Sequence, residues 1–238
     1  MLTEAAARVE VAQASRILAG EAILDAFGHV SRRHPDRPDH FLISRSLAPA
    51  LVTPDDVLEL DFAGNVVSER AAPVFLERFI HAEIYRRRPD VEAVVHSHAT
   101  GVLPFAAVPS VRVRPICHMC GFLHGTPVPF DVADHAGPVT DLLIRSAALG
   151  AALASHLGGA AAVLMRGHGY TVVGSSVAIA TYRAIYTARN CEVQQAAMAL
   201  GKPVFLSDAE AVAADAAAMS QITRPWDLWC DRYPLPPP

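Results

Sequence analysis

The sequence predicts one α/β domain built on a mixed sheet. Stretches with helical spacing alternate with short apolar runs of strand length, which is the pattern of an α/β fold. Neither an internal repeat nor a convincing linker divides the chain. At 238 residues and 52% hydrophobic content it can bury a sizeable core as a single domain over 1–238.

Residues 4–27 read as the first helix, with apolar positions at Val9, Val11, Ile17, Leu18, Ile23, Leu24 and Phe27. Gly28 ends it, and an irregular stretch from His29 through Arg33 to Pro35 and Pro38 follows. Phe41–Ser44 and Val57–Leu60 are strand-like, and Asp61 to Asn65, containing Gly64-Asn65, signals a hairpin turn. Pro73–Arg88 has helical spacing with a broad apolar face, stopped by Pro89-Asp90. Ala93–His96 is a strand. Prolines and glycines from Gly101 to Pro129 mark loops and short segments, where functional side chains often sit. A helix over 140–156, strands at Ala161–Met165 and Tyr170–Val173, and a long helix over Val177–Leu200 capped by Gly201 complete the pattern. The tail from about 206 to 238 is poor core material alone. Its Trp226 and Trp229 suggest packing on a neighbouring subunit.

Composition removes several classes of function. A net charge of -4 with no basic tract argues against nucleic-acid binding. No apolar run reaches the roughly 18 residues of a membrane span, and Glu4 and Glu10 in an Ala-rich helical pattern are unlike a secretory signal. A cytoplasmic protein is expected. Four cysteines in this length are not a disulfide framework. Cys117 and Cys120 match C-x-x-C but lack a second pair, and packing is favoured for them. The only lysine, Lys202, stands at a helix end, a poor place for imine chemistry.

The chemistry resides in histidines. His96 and His98 end an apolar strand, and side chains two apart on a strand share a side, so two imidazoles can meet one metal ion. His168 ends the next apolar run, and three histidines suffice for a catalytic metal with an open position. Glu77, nineteen residues before His96 on the preceding helix, would add an oxygen ligand or a base beside the metal. His34, His40, His81, His124, His135 and His156 lack comparable framing, and structural or solvent-exposed roles are favoured for them.

The order Glu77-Arg78-Phe79, Arg88-Pro89-Asp90, His96-Ser97-His98 and Gly167-His168-Gly169 resembles the class II aldolase/adducin family over roughly residues 8 to 205. The resemblance implies a three-layer α/β/α fold with a central, mainly antiparallel sheet. It also implies one divalent metal ion per subunit, zinc or manganese first and iron or cobalt as alternatives, held by Glu77, His96, His98 and His168. Glu77 would double as acid/base. A homotetramer with active sites between subunits is expected. Adducin-like members without activity lack the ligands; this chain keeps them.

Departures from the sugar-phosphate aldolases narrow the substrate. Where those enzymes carry donors for phosphate, this chain has Gly28-His29-Val30-Ser31, Ser44 to Pro49, and Phe75-Leu76 before Glu77. Phosphate needs several donors to offset its desolvation, so a flatter, less charged group is expected. The replacements resemble the branch that decarboxylates hydroxylated aromatic or hydroxypyridine (di)carboxylates through a metal-stabilised enolate. The alternative is an aldolase for a non-phosphorylated hydroxy acid or hydroxy aldehyde. His29 or His118 is expected as the proton donor. Ser31, Arg45, Arg166 and Tyr170 are the expected substrate contacts.

Overall fold

The computed structural model describes residues 2–68 and 72–237. Helix α1 (Glu4–Gly20) leads into strands β1 (His29–Arg33), β2 (His40–Ser44) and β3 (Val57–Asp61). Helix α2 (Arg78–Arg87), β4 (Ala93–Ser97) and the short helices α3 (Leu103–Ala107) and α4 (Ala133–Ala136) follow. Then come α5 (Ala147–Leu157), β5 (Ala162–Met165), β6 (Gly169–Gly174), α6 (Val177–Leu200), α7 (Asp208–Met219) and α8 (Thr223–Arg232).

The strands form one six-stranded sheet in the order β3-β2-β1-β4-β6-β5. Every named pairing is antiparallel, so the sheet is not mixed; the only parallel element among the described residues is an isolated bridge between Phe130 and Met165. Alternation along β4 divides its side chains between two apolar layers. Val94 packs with Tyr85 of α2 and Leu153 of α5, while Ala93 and Val95 pack with α1 and α6. This is the expected three-layer arrangement. Among the described residues no helix is long and apolar enough to cross a membrane.

The long helix and most strands lie where expected, and the Asp61–Asn65 turn forms with Asn65 bonded back to Asp61. Four expectations are corrected. The first helix stops at Gly20: Ala22 takes a left-handed φ of 57°, and the Ile23 and Leu24 amides turn back to the Leu18 carbonyl. Ile23 and Leu24 are still buried, so the apolar spacing reported burial rather than continued helix. The stretch from His29 to Arg33 is not irregular but a central strand between β2 and β4. Residues 73–77 and 140–146 are not helical; α2 and α5 start after them. The tail folds onto its own chain, with Trp229 only 3% exposed and Trp226 packed against the same core, so neither tryptophan requires a neighbour for cover.

Two glycines let strands close around the sheet centre. Gly28, at φ 85°, brings the chain to within 2.8 Å of the His96 carbonyl, measured from where a Cβ would stand. A Cβ on Gly169 would lie 2.2 Å from the Ser97 carbonyl oxygen and 3.0 Å from the His98 ring. The Gly169→Ala variant must therefore push β6 off β4, and its unfolding free energy in a denaturant titration is expected to fall by about 2 kcal/mol. An unchanged midpoint would contradict this seating.

Candidate metal centre

The register of β1, β4 and β6 places the site. His29 pairs with His96, and His96 with Thr171, so all three point to the α2 side of the sheet. His98 follows two residues after His96 on the same side. His168 arrives on the tight turn between β5 and β6, and Glu77 stands at the N-cap of α2. The ligand atoms of Glu77, His96, His98 and His168 all lie within 4.8 Å of one another. The Nε2 atoms of His96 and His168 are each 3.0 Å from His98 Nε2, and Glu77 Oε2 is 3.5 Å from His96 Nε2 and 3.3 Å from His168 Nε2. A tetrahedron with spokes of the length zinc makes to nitrogen and oxygen has edges of about 3.3 Å. Three imidazoles and a carboxylate with these spacings fit a divalent cation.

The outer groups hold the ligands in a usable state. His168 Nδ1–H donates to the Leu142 carbonyl at 2.9 Å, which leaves its Nε2 lone pair for the centre. His96 Nδ1 is 3.2 Å from Thr171 Oγ1. The Ile144 amide donates to Glu77 Oε1 at 2.9 Å and leaves Oε2 facing the imidazoles. Both Leu142 and Ile144 belong to the 140–146 segment, and Leu142 adopts a left-handed φ of 67°, a strained conformation for a leucine. Strain of this kind persists only where surrounding bonds over-determine it, and the two bonds to ligand side chains do so. Burial alone would raise the Glu77 carboxyl, but His96 and His168 beside it outweigh burial and hold it well below the usual carboxylate range. Burial, helped by His96 and His168, lowers His98 to about 4, which keeps it neutral and able to ligate near pH 7.

Beside Glu77 and His98 opens a cavity of about 460 Å³. Its walls include Phe27, Leu47, Val74, Phe75 and Leu76, with His29 and Ser46 as further polar groups. Among the described residues no lysine or arginine lines it.

Of the expected residues, Glu77, His96, His98 and His168 come together, and His29 joins them at the cavity wall with its ring 4.5 Å from Phe75 and 5.1 Å from His96. Four others are corrected. Ser31 is fully buried behind His29, bonded to His81 and Tyr85. Tyr170 is one residue out of phase with Thr171, so it faces α6 and its hydroxyl donates to the Ala184 carbonyl. Arg45 donates to Asp56 at 2.7 Å, and Arg166 pairs with Asp131; neither lines the cavity. His118 is exposed at the start of a 3-10 turn packed on the α6 side, across the sheet from α2, so it does not enter its own chain's site. Cys117 and Cys120 lie on that same turn, outside the cluster.

His81 was not expected. It is completely buried, with Nε2 at 2.6 Å from His29 Nδ1 and Nδ1 at 2.5 Å from Ser31 Oγ. The sequence held a signal: Glu77, His81 and Tyr85 recur every four residues, one stripe of a helix.

Residues 9–195 match the model of the Class II Aldolase and Adducin N-terminal domain. The chain belongs to this family. It is 39% identical to decarboxylase tropJ of Talaromyces stipitatus, over 90% of this chain and 88% of that protein. It is 33% identical to the 3,4-dihydroxyphthalate decarboxylase of Arthrobacter keyseri, over 77% and 75%. An aldolase II superfamily protein from Pseudomonas syringae superposes with a TM-score of 0.80 at 22% identity, over 98% of this chain and 94% of that one, and so shares its fold. Within the family, the chain groups by sequence with relatives named decarboxylases.

Burial, with the neighbouring His96 imidazole opposing a second positive charge, lowers His81 to about 3. An unfolded histidine titrates near 6.5, so the unfolded chain takes up a proton that the folded chain refuses as pH falls below about 6.5. Stability is therefore expected to drop with acid, by about 2 kcal/mol between pH 7 and 5 from this group alone. Urea midpoints across that range measure it, and His81→Gln is expected to flatten the slope.

Proposed function

We propose that this lyase decarboxylates a hydroxylated aromatic or hydroxypyridine (di)carboxylate with a divalent cation held by Glu77, His96, His98 and His168. The observation that carries the reading is the pairing of that ligand set with a cavity walled by Phe27, Leu47, Phe75 and Leu76, with no lysine or arginine among the described residues that line it. A phosphate would find few donors there, whereas a flat ring finds apolar surface. The named activities of the decarboxylase relatives agree with this choice.

A cation bound there would act as a Lewis acid for a phenolic oxygen and its neighbouring carboxylate. In the reaction the ring carbon that bears the carboxylate takes a proton with an electron pair pushed in from the phenolate oxygen; the bond from that carbon to the carboxyl then breaks, its pair returns through the ring to the phenolic oxygen, and carbon dioxide leaves. The chain's own contribution is positioning. Phe75 and Leu76 flank Glu77 and hold the ring, while the Ile144 amide keeps the carboxylate from turning away. His29 and His118 are the imidazoles proposed for hydrogen bonding and proton transfer. His29 lines the cavity of its own chain; His118 would act in a neighbouring subunit's cavity, as a homotetramer with shared sites would permit.

Hydroxylated phthalates and pyridine dicarboxylates assayed for carbon dioxide test the proposal. Activity is expected to vanish on exhaustive chelation, to return with zinc or manganese, and to be lost in His98→Ala. Activity that survives chelation contradicts the metal-dependent reading. Release of an aldehyde fragment without carbon dioxide would make the protein an aldolase.

A further inference from the structure

Behind His29 runs a buried chain of polar groups that the metal ligands do not explain. His29 Nδ1 meets His81 Nε2 at 2.6 Å, His81 Nδ1 meets Ser31 Oγ at 2.5 Å, and Ser31 Oγ meets the Tyr85 hydroxyl at 2.7 Å. Ser31 and His81 are wholly buried, Tyr85 is 1% exposed and His29 4%. Two elements supply these groups with strict periodicity: His29 and Ser31 alternate on β1, and His81 and Tyr85 lie one turn apart on α2. Four polar side chains seldom line up in an apolar layer, because each unmet donor or acceptor there costs about 1–3 kcal/mol.

We infer that the His81–Ser31–Tyr85 chain is a positioning device that fixes the tautomer of His29 and presents its Nε2–H to the substrate. This inference rests on the site reading above. The direction of the bonds follows from the far end. The Tyr85 phenol must donate, and among the described residues its one hydrogen-bond partner is Ser31. Ser31 Oγ therefore accepts from Tyr85 and gives its own proton to His81 Nδ1. A neutral imidazole carries one proton, so that of His81 sits on Nε2 and is donated to His29 Nδ1. The His29 proton is then on Nε2, the nitrogen without a hydrogen-bond partner among the described residues, on a ring that lines the cavity. The reverse direction would strand the phenolic proton in an apolar layer. In this tautomer His29 is a neutral donor that binds a substrate oxygen, and the acid that protonates the ring carbon is then another group, with His118 of a neighbouring subunit the remaining imidazole.

The test is ¹⁵N NMR of histidine-labelled, zinc-loaded protein without substrate, beside steady-state kinetics. In the wild type His29 is expected to be protonated on Nε2 and His81 on Nε2. In Ser31→Ala, which removes the donor to His81, both rings are expected to redistribute between tautomers. Tyr85→Phe keeps the packing volume and is expected to act the same way more weakly. The kinetic expectation is a loss in kcat/KM of about 10-fold for Ser31→Ala with the metal content unchanged, and partial recovery in His81→Gln relative to His81→Leu, since the amide can still donate to His29. A wild-type His29 protonated on Nδ1, or tautomers that ignore Ser31→Ala, overturns the inference. The tautomers are read without turnover. Correct tautomers in a protein that does not decarboxylate would thus sink the substrate reading and leave the chain of bonds standing.

Discussion

A carboxylate and three imidazole nitrogens held within 4.8 Å of one another inside an apolar layer are the constraint on which the rest of this structure depends. Left to themselves these groups would repel or take up protons, because burial penalises every charged form among them. The fold holds three of the four apart by tying their outer atoms elsewhere: His168 to the Leu142 carbonyl, His96 to Thr171 and Glu77 to the Ile144 amide. Those ties account for features that are otherwise odd. Leu142 accepts a left-handed backbone, and the 140–146 stretch gives up the helix its composition favours. Gly28 and Gly169 let β1 and β6 approach β4 closely enough to bring His29, His96, His98 and His168 to one end of the sheet.

The four candidate ligands were legible because they obey local rules. His96 and His98 repeat at the strand period, and His168 follows an apolar strand, just before a glycine. Strand β1 was not legible for an instructive reason. Its inward residues, His29 and Ser31, are polar and feed the buried chain to His81 and Tyr85, so the alternation of apolar residues that marks a half-buried strand is missing. Function erased the pattern of structure there. Tyr170 failed differently: adjacency to His168 suggested proximity to substrate, yet the pleat sends it to the opposite face. Arg45 and Arg166 look free in a sequence, and only the fold shows Asp56 and Asp131 beside them.

A wall of Phe27, Leu47, Val74, Phe75 and Leu76 next to a group of side chains that fits a cation favours a ligand that is flat and apolar on one side and bears oxygens on the other. Hydroxylated aromatic acids have that character. Phe27, Val74, Phe75 and Leu76 all stand within three residues of His29 or Glu77, so the apolar wall is set by the same short segments that place those two side chains.

The most direct measurement is X-ray absorption at the zinc edge on zinc-loaded protein. The account predicts a shell of imidazole nitrogens and carboxylate or water oxygen at about 2.0–2.2 Å, with the imidazole contribution diminished in His98→Ala. Sulfur scatterers at about 2.3 Å, which would place the ion on Cys117 and Cys120, or a shell indifferent to His98→Ala, would contradict it.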